Sequence, residues 1–432
     1  MIKLLEKASR KPGILALAQV GIGAAVFGLL ILIPPPPLFS RIFYQPDWQI
    51  LSLLFIFFAL PLRKNGLGWV TLQVVLVFGL FAMPLIYKWQ FANDGYLIGG
   101  LLPLSDTSSY YMDAHRLANG ALFTAWGGRR PLFASLLAVI LRLNGGDFMT
   151  TLIILTLVNV IAILIAFQAI KRWYGALGAS AYLLIAYVFY TRFTGETSSE
   201  QLGFALGNLA LFFLLVGVQT RSFWRALFGL GILTLALNAR AGAFFILPAL
   251  IVWMAFYFRR QIVFWRTAGL AIAVVVMVFL LNIFLARVVT GQQGTTFSNY
   301  SYTLYGLASG NKGWYQVTQD YPKATESEIM PLAIQKIRET PGLLLYGMQE
   351  SYKDYFQPYG GAFSFIFQGS TNSTIAMYLN MFLWGFVLIG LIHAYLKRET
   401  GTGGLVWISF LGVFASLSLL PPIDADSMRA FA

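Results

Sequence analysis

Apolar runs close to the ~20 residues that cross a bilayer as a helix recur along almost the whole chain. The first covers residues 13–33 and ends in four prolines, Pro34 to Pro37. An outer-membrane barrel would show short alternating segments instead. Composition closes the other routes. Charged residues are 11% of the 432 residues and apolar residues 58%, whereas a soluble domain carries about 25% charged residues. So few charges cannot cover a soluble globule. Neither a disordered nor a collagen-like chain has a mean hydropathy of +0.70. The expected fold class is an all-α polytopic membrane protein.

The 30 basic residues outnumber the 17 acidic ones, for a net charge of +13. Nucleic acid is not the implied partner, because the basic residues cluster between apolar segments: Lys171-Arg172, Arg221 with Arg225, Arg259-Arg260 with Arg266, and Lys397-Arg398. That is the positive-inside pattern. Lys3, Lys7, Arg10 and Lys11 precede the first run, which is too long for a signal peptide and reads as a helix with a cytoplasmic start. If all these clusters are cytoplasmic, parity gives eleven crossings: 13–33, 48–62, 67–87, 149–170, 174–190, 202–218, 223–237, 241–258, 267–289, 375–396 and 403–420. The thirteen or so residues 131–143 are then a juxtamembrane or re-entrant helix. The alternative is that the short second helix does not cross, which flips one end. In the eleven-span arrangement the polar stretches 88–130 and 290–374 lie on the outer face. Three regions follow: a membrane core, 1–289, that includes the first outer loop; an outer region, 290–374; and terminal helices, 375–432.

Cysteine is absent and only His115 and His393 occur. No thiolate nucleophile, disulfide or multi-histidine metal site is available, so chemistry rests on carboxylates. No repeat of 20–50 residues is visible, nor paired broken helices in two matching halves. Walker and Rossmann loops are missing.

Three features can carry chemistry. In the first outer loop Asp106 opens a helix with Tyr110 and Ala114 at spacings of four. Two roles are open to it: an N-cap accepting backbone N–H bonds, or a base taking a proton from an acceptor hydroxyl. Next, Glu200 stands at the mouth of an apolar helix with Glu196 one turn before. Either these are acids favoured at a helix N-terminus, or Glu200 faces the same cavity as Asp106. Finally, Arg240 sits between two apolar helices at the outer end. It either snorkels to the interface or binds a lipid phosphate; Arg192 and Arg287 compete for that role.

These features follow the order of a known family. The chain resembles the polytopic GT-C glycosyltransferases that use polyprenyl-phosphate sugars, above all bacterial relatives of protein mannosyltransferases and aminoarabinose transferases. Asp106, Tyr110, Ala114, Gly120 and Arg130-Pro131-Leu132-Phe133 match the family's first-loop pattern, without its second proline. Glu200, the run Gly229 to Arg240, and Tyr305-Gly306-Leu307-Ala308-Ser309-Gly310-Asn311-Lys312-Gly313-Trp314 match later elements. The resemblance covers residues 88–258 well and the rest loosely. No Trp-Trp-Asp signature of asparagine glycosylation is present. The resemblance implies a GT-C-like fold in a bacterial inner membrane with its site facing the periplasm. The donor would be a polyprenyl-phosphate sugar, and the acceptor a glycan, lipid or protein hydroxyl. Asp106 falls into the role of catalytic base, with Asp94, Tyr110, Asp113, Glu200, Arg240 and Arg287 as substrate-binding residues; no cofactor is expected, and the sequence supplies no support for a divalent metal. The rival classes are a transporter or flippase for lipid-linked glycans, and a polymerase or ligase. The latter would need loop arginines, of which 290–374 has one, Arg338.

Overall fold

The computed structural model describes residues 12–44, 48–59, 67–91, 97–291, 296–297, 299–357, 363 and 373–420. The order is α1 (Pro12–Leu32), α2 (Pro37–Tyr44), α3 (Trp48–Ala59), α4 (Leu67–Phe91), β1 (Leu97–Ile98), β2 (Leu102–Pro103), α5 (Asp106–Ala118), α6 (Ala125–Gly128), α7 (Pro131–Leu143) and α8 (Phe148–Tyr190). There follow α9 (Glu200–Gln219), α10 (Phe223–Ala239), α11 (Ile246–Tyr257), α12 (Phe264–Thr290), α13 (Asn299–Ala308), α14 (Gln316–Asp320), α15 (Glu326–Glu339), α16 (Pro341–Phe356), α17 (Ser373–Leu396) and α18 (Gly401–Ser416). The protein is all-α: among the described residues the only sheet is the two-stranded antiparallel β1–β2 ribbon. Five helices are long and apolar enough to cross a membrane: α1, α4, α8, α9 and α12. The apolar helices α7, α10, α11, α17 and α18 are shorter in their apolar part.

The long helix α8 is two helices joined at Gly175, whose φ of 73° lies in the left-handed region that glycine enters without a Cβ clash. The break falls just after Lys171-Arg172, where the sequence leads one to expect it. Two boundaries differ from expectation. The helix expected from 241 starts only at Ile246, because Arg240 is extended (φ −133°, ψ 115°) and residues 240–245 form a turn. Conversely, α4 runs past Tyr87 and takes Lys88 into its last turn.

The chain divides into two compact units, Met1–Ala118 with Leu137–Leu209, and Asn119–Leu136 with Ala210–Ala432. In the first, α4 is the central helix, packed by α1, α2 and α8; Phe78, Phe81 and Leu85 on it are wholly buried. In the second, α10 and α11 pack on α12, and α11 also packs on α18. Glycines set the close approaches. A Cβ on Gly229 would come 2.8 Å from the Leu214 nitrogen, and one on Gly412 2.4 Å from Ile246 Cα. The run of small residues in α10 therefore has a packing reason of the kind common between membrane helices.

Residues 299–356 read as a polar stretch in sequence but fold as four helices, α13–α16. Their core is Leu304, Tyr305, Val317, Ile329 and Ala333. Thr325 and Glu328 close a capping box at the start of α15. Tyr305 donates to Asp320 at 2.7 Å, and Asn311 to Asp354 at 3.0 Å. The sequence element Tyr305–Trp314 is thus the end of α13 and its turn, with Gly310, Asn311 and Gly313 all at positive φ.

Candidate functional site

In the first unit the site grows from the last turn of α4. Lys88 is 1% exposed and donates its Nζ to Glu196 Oε1 at 2.5 Å, with the Glu196 side chain 2% exposed. A lysine buried to that degree needs a partner, since an isolated buried charge is strongly disfavoured. The backbone on either side is shaped to it. A Cβ on Gly195 (φ +73°) would lie 3.2 Å from Lys88 Cδ, and one on Gly100 (φ +71°) 2.2 Å from the Lys88 carbonyl oxygen.

Glu196 belongs to the turn between α8 and α9. Loops usually run over the surface, yet Thr194, Glu196, Thr197, Ser198, Ser199, Glu200 and Gln201 are all buried. Side chains supply the bonds the turn cannot make as a helix. Gln201 donates to the Phe193 carbonyl at 2.9 Å and accepts from Asn159 at 2.8 Å. Ser199 donates to Glu200 Oε2 at 3.3 Å. Thr197 Oγ1 donates to the Thr107 carbonyl at 2.8 Å, which ties this turn to the first turn of α5. The first two features read from the sequence therefore meet.

Along α5, Asp106, Tyr110 and Asp113 fall on one stripe at spacings of four and three. Asp106 is exposed while Tyr110, Asp113 and Ala114 are buried. Asp106 is the first residue of α5, and Ser105 before it stands at φ 58°. Its carboxylate is still favoured there by the helix dipole. Asp113 has Arg116 Nε 4.0 Å away. Asp94 lies outside the described residues. Arg192 stands in the buried turn, half-buried itself.

The second unit has cations of its own. Arg240 caps the C-terminus of α10, half-buried. Arg130, 7% exposed, holds its guanidinium 5.1 Å over Phe297. Arg129 pairs with Glu326 at 3.0 Å and stacks over Trp126. Arg287 is on the exposed side of α12 with Phe284 and Val288. Among the described residues no three of His, Cys, Asp and Glu gather as a metal-ion site. Sequence reasoning missed Lys88, which it counted as a loop residue, and gave Arg129-Arg130 no binding role. A lone lysine ending an apolar run, with a lone glutamate in a later turn, was the available signal.

No family model, curated protein or solved structure matches the chain.

Proposed function

We propose that this protein is an integral membrane glycosyltransferase, moving a sugar from a polyprenyl-phosphate carrier to a glycan, lipid or protein hydroxyl on the outer face of the membrane. The acceptor oxygen forms its bond to the anomeric carbon as the bond from that carbon to the phosphate oxygen breaks. The hydroxyl proton goes to Asp106, and a guanidinium meets the charge that develops on the leaving phosphate. The observation that carries this is the stripe on α5. Asp106 alone of its carboxylates is exposed, where an acceptor can reach it, while Asp113 is buried two turns deeper on the same face. The orientation is read from the parity of the basic clusters, which puts α5 and α13–α16 outside. On this reading the chain crosses the bacterial inner membrane eleven times and the lipid tail enters from the bilayer.

The test is Asp106→Asn. Transfer from a synthetic lipid-phosphate sugar should fall by roughly 10²–10⁴-fold, the usual effect of removing a general base, with an unchanged melting curve. Transfer at near-parental rate removes Asp106 from the chemistry. If the parent transfers no sugar but moves glycolipid across liposomes, the protein is a flippase instead.

A further inference from the structure

Between α14 and α15 the second unit carries an open groove of about 700 Å³, a size usual for ligand sites. It has no part in the chemistry above. One wall is the end of α14 and the link after it, from Asp320 to Ala324. The other is a single face of α15, where Ser327, Glu328, Pro331, Leu332 and Gln335 recur at helical spacing. At 1.5 Å per residue that wall runs for about 12 Å.

The walls are fixed from behind. The Tyr321 ring, 44% exposed, stands edge-on to the Tyr305 ring at 6.2 Å. Tyr305 in turn belongs to the buried core of the α13–α16 group. Asp320 has both carboxylate oxygens bonded, one by the Tyr305 hydroxyl at 2.7 Å and one by Gln316 Nε2 at 2.8 Å. Glu328 Oε2 accepts from the Thr325 backbone N–H at 2.7 Å and from its hydroxyl at 2.8 Å. Pro331 sits inside α15 and brings no N–H, so the Ser327 carbonyl, four residues back, lacks its helical donor. Ser327 and Pro331 both line the groove, which puts that oxygen on the groove side. Walls already in place lower the ordering cost of binding.

The open polar atoms are of both kinds. Lys323 Nζ and the Tyr321 hydroxyl belong to exposed residues and can donate. The Ser327 carbonyl, Glu328 Oε1 and Gln335 Oε1 can accept; the Gln335 amide nitrogen is already spent on Glu339 at 2.7 Å. Apolar surface comes from the Tyr321 ring, Pro331 and Leu332. One cation, Lys323, against two carboxylates, Asp320 and Glu328, leaves the lining at a net −1, which disfavours phosphate and uronate groups. An extended peptide joins an exposed sheet edge, whereas these walls are a helix and a link with a proline at 322. An amphipathic helix needs an unbroken row of apolar anchors, which Glu328 and Gln335 interrupt. A neutral sugar ring offers an apolar C–H face and a rim of hydroxyls, each able to donate and accept. We infer that this groove binds a neutral oligosaccharide, its ring face on Tyr321 and its hydroxyls on Lys323, Glu328 and Gln335. Neither Asp106 nor the lipid-linked donor enters into this binding, so it stands or falls apart from the transferase reading.

The experiment is a calorimetric titration of the full chain, in a detergent without a sugar headgroup, with cellohexaose, maltohexaose, chitohexaose and hexagalacturonate, beside melting curves. The parent should bind at least one of the three neutral hexasaccharides with a Kd under about 1 mM, and the acidic one more weakly. Tyr321→Ala should lower that affinity roughly tenfold, equivalent to about 1.4 kcal/mol, while Tyr321→Phe keeps most of it. Gln335→Ala and Lys323→Ala should each weaken binding severalfold with unchanged melting. Because Tyr321 packs on the core, these two variants of exposed residues decide the matter if Tyr321→Ala melts lower. A parent that binds no neutral hexasaccharide overturns the inference. So does tighter binding of hexagalacturonate, or binding that survives Tyr321→Ala, Gln335→Ala and Lys323→Ala alike, which would put the sugar elsewhere. No donor or transfer step is read, so each of these failures leaves the transferase reading to its own test.

Discussion

Breaking the Lys88–Glu196 pair should cost more stability than any other single charge removal in the first unit. Both side chains are all but fully buried, at 1% and 2% exposure, and joined at 2.5 Å. Removing one member of such a pair leaves a charge with no solvent to receive it, a loss of about 3–5 kcal/mol. At roughly 2–4 °C per kcal/mol for a unit of some 150–250 residues, Lys88→Met or Glu196→Gln should each lower the melting temperature by roughly 6–20 °C. The double variant leaves neither charge of this pair behind without the other, so it should melt much closer to the parent than the sum of the two losses. Thermal unfolding of all four proteins in one detergent, read as a double-mutant cycle, measures the coupling. Two results refute the reasoning. One is single variants as stable as the parent, which would mean the pair is solvated. The other is a double variant that loses the full sum, which would mean that packing, not charge, holds the turn at residues 191–199 against α4.

Three further predictions follow from the structure. Gly347→Ala should destabilise the α13–α16 group by about 1–3 kcal/mol, the cost of overpacking, since its Cβ would stand 2.4 Å from the Leu307 carbonyl oxygen; faster hydrogen exchange in α13 would show it. Glu328 has its pKa held below the ordinary 4.5 by the Thr325 backbone N–H it accepts. Its capping contribution is therefore fully present above 4.5 and is lost as pH falls through the lowered folded value. Amide exchange in the first turn of α15 should accelerate on acidification in the parent and show no such step in Glu328→Ala. Finally, the chain has no native cysteine, so Gln319→Cys, exposed on α14, is a clean reporter. It should react with an impermeant maleimide from outside the cell, and reaction only after the cytoplasm is opened would overturn the orientation and the outer-face site with it.

The sequence by itself determined the class of fold, because long apolar runs with 11% charge leave few alternatives to apolar helices. It also located the features at Asp106 and Glu200, since helix-opening acids are a local signal. Even the break in α8 was legible, because charge and glycine punctuation act within a few residues. What lay beyond it were relations across many residues. Lys88 looked like the first residue of a loop; only the packing of Gly195 and Glu196 against it, 107 and 108 positions on, turns it into a buried helical charge. The stretch 299–356 looked like polar loop because its core residues are scattered singly among Tyr, Gly and Gln. Their burial appears only when α13 and α15 close on each other. Asp106 shows the division within one residue. Its helix-opening position was local, whereas its exposure above a buried Asp113 depends on what covers the rest of that stripe, which tertiary packing alone decides.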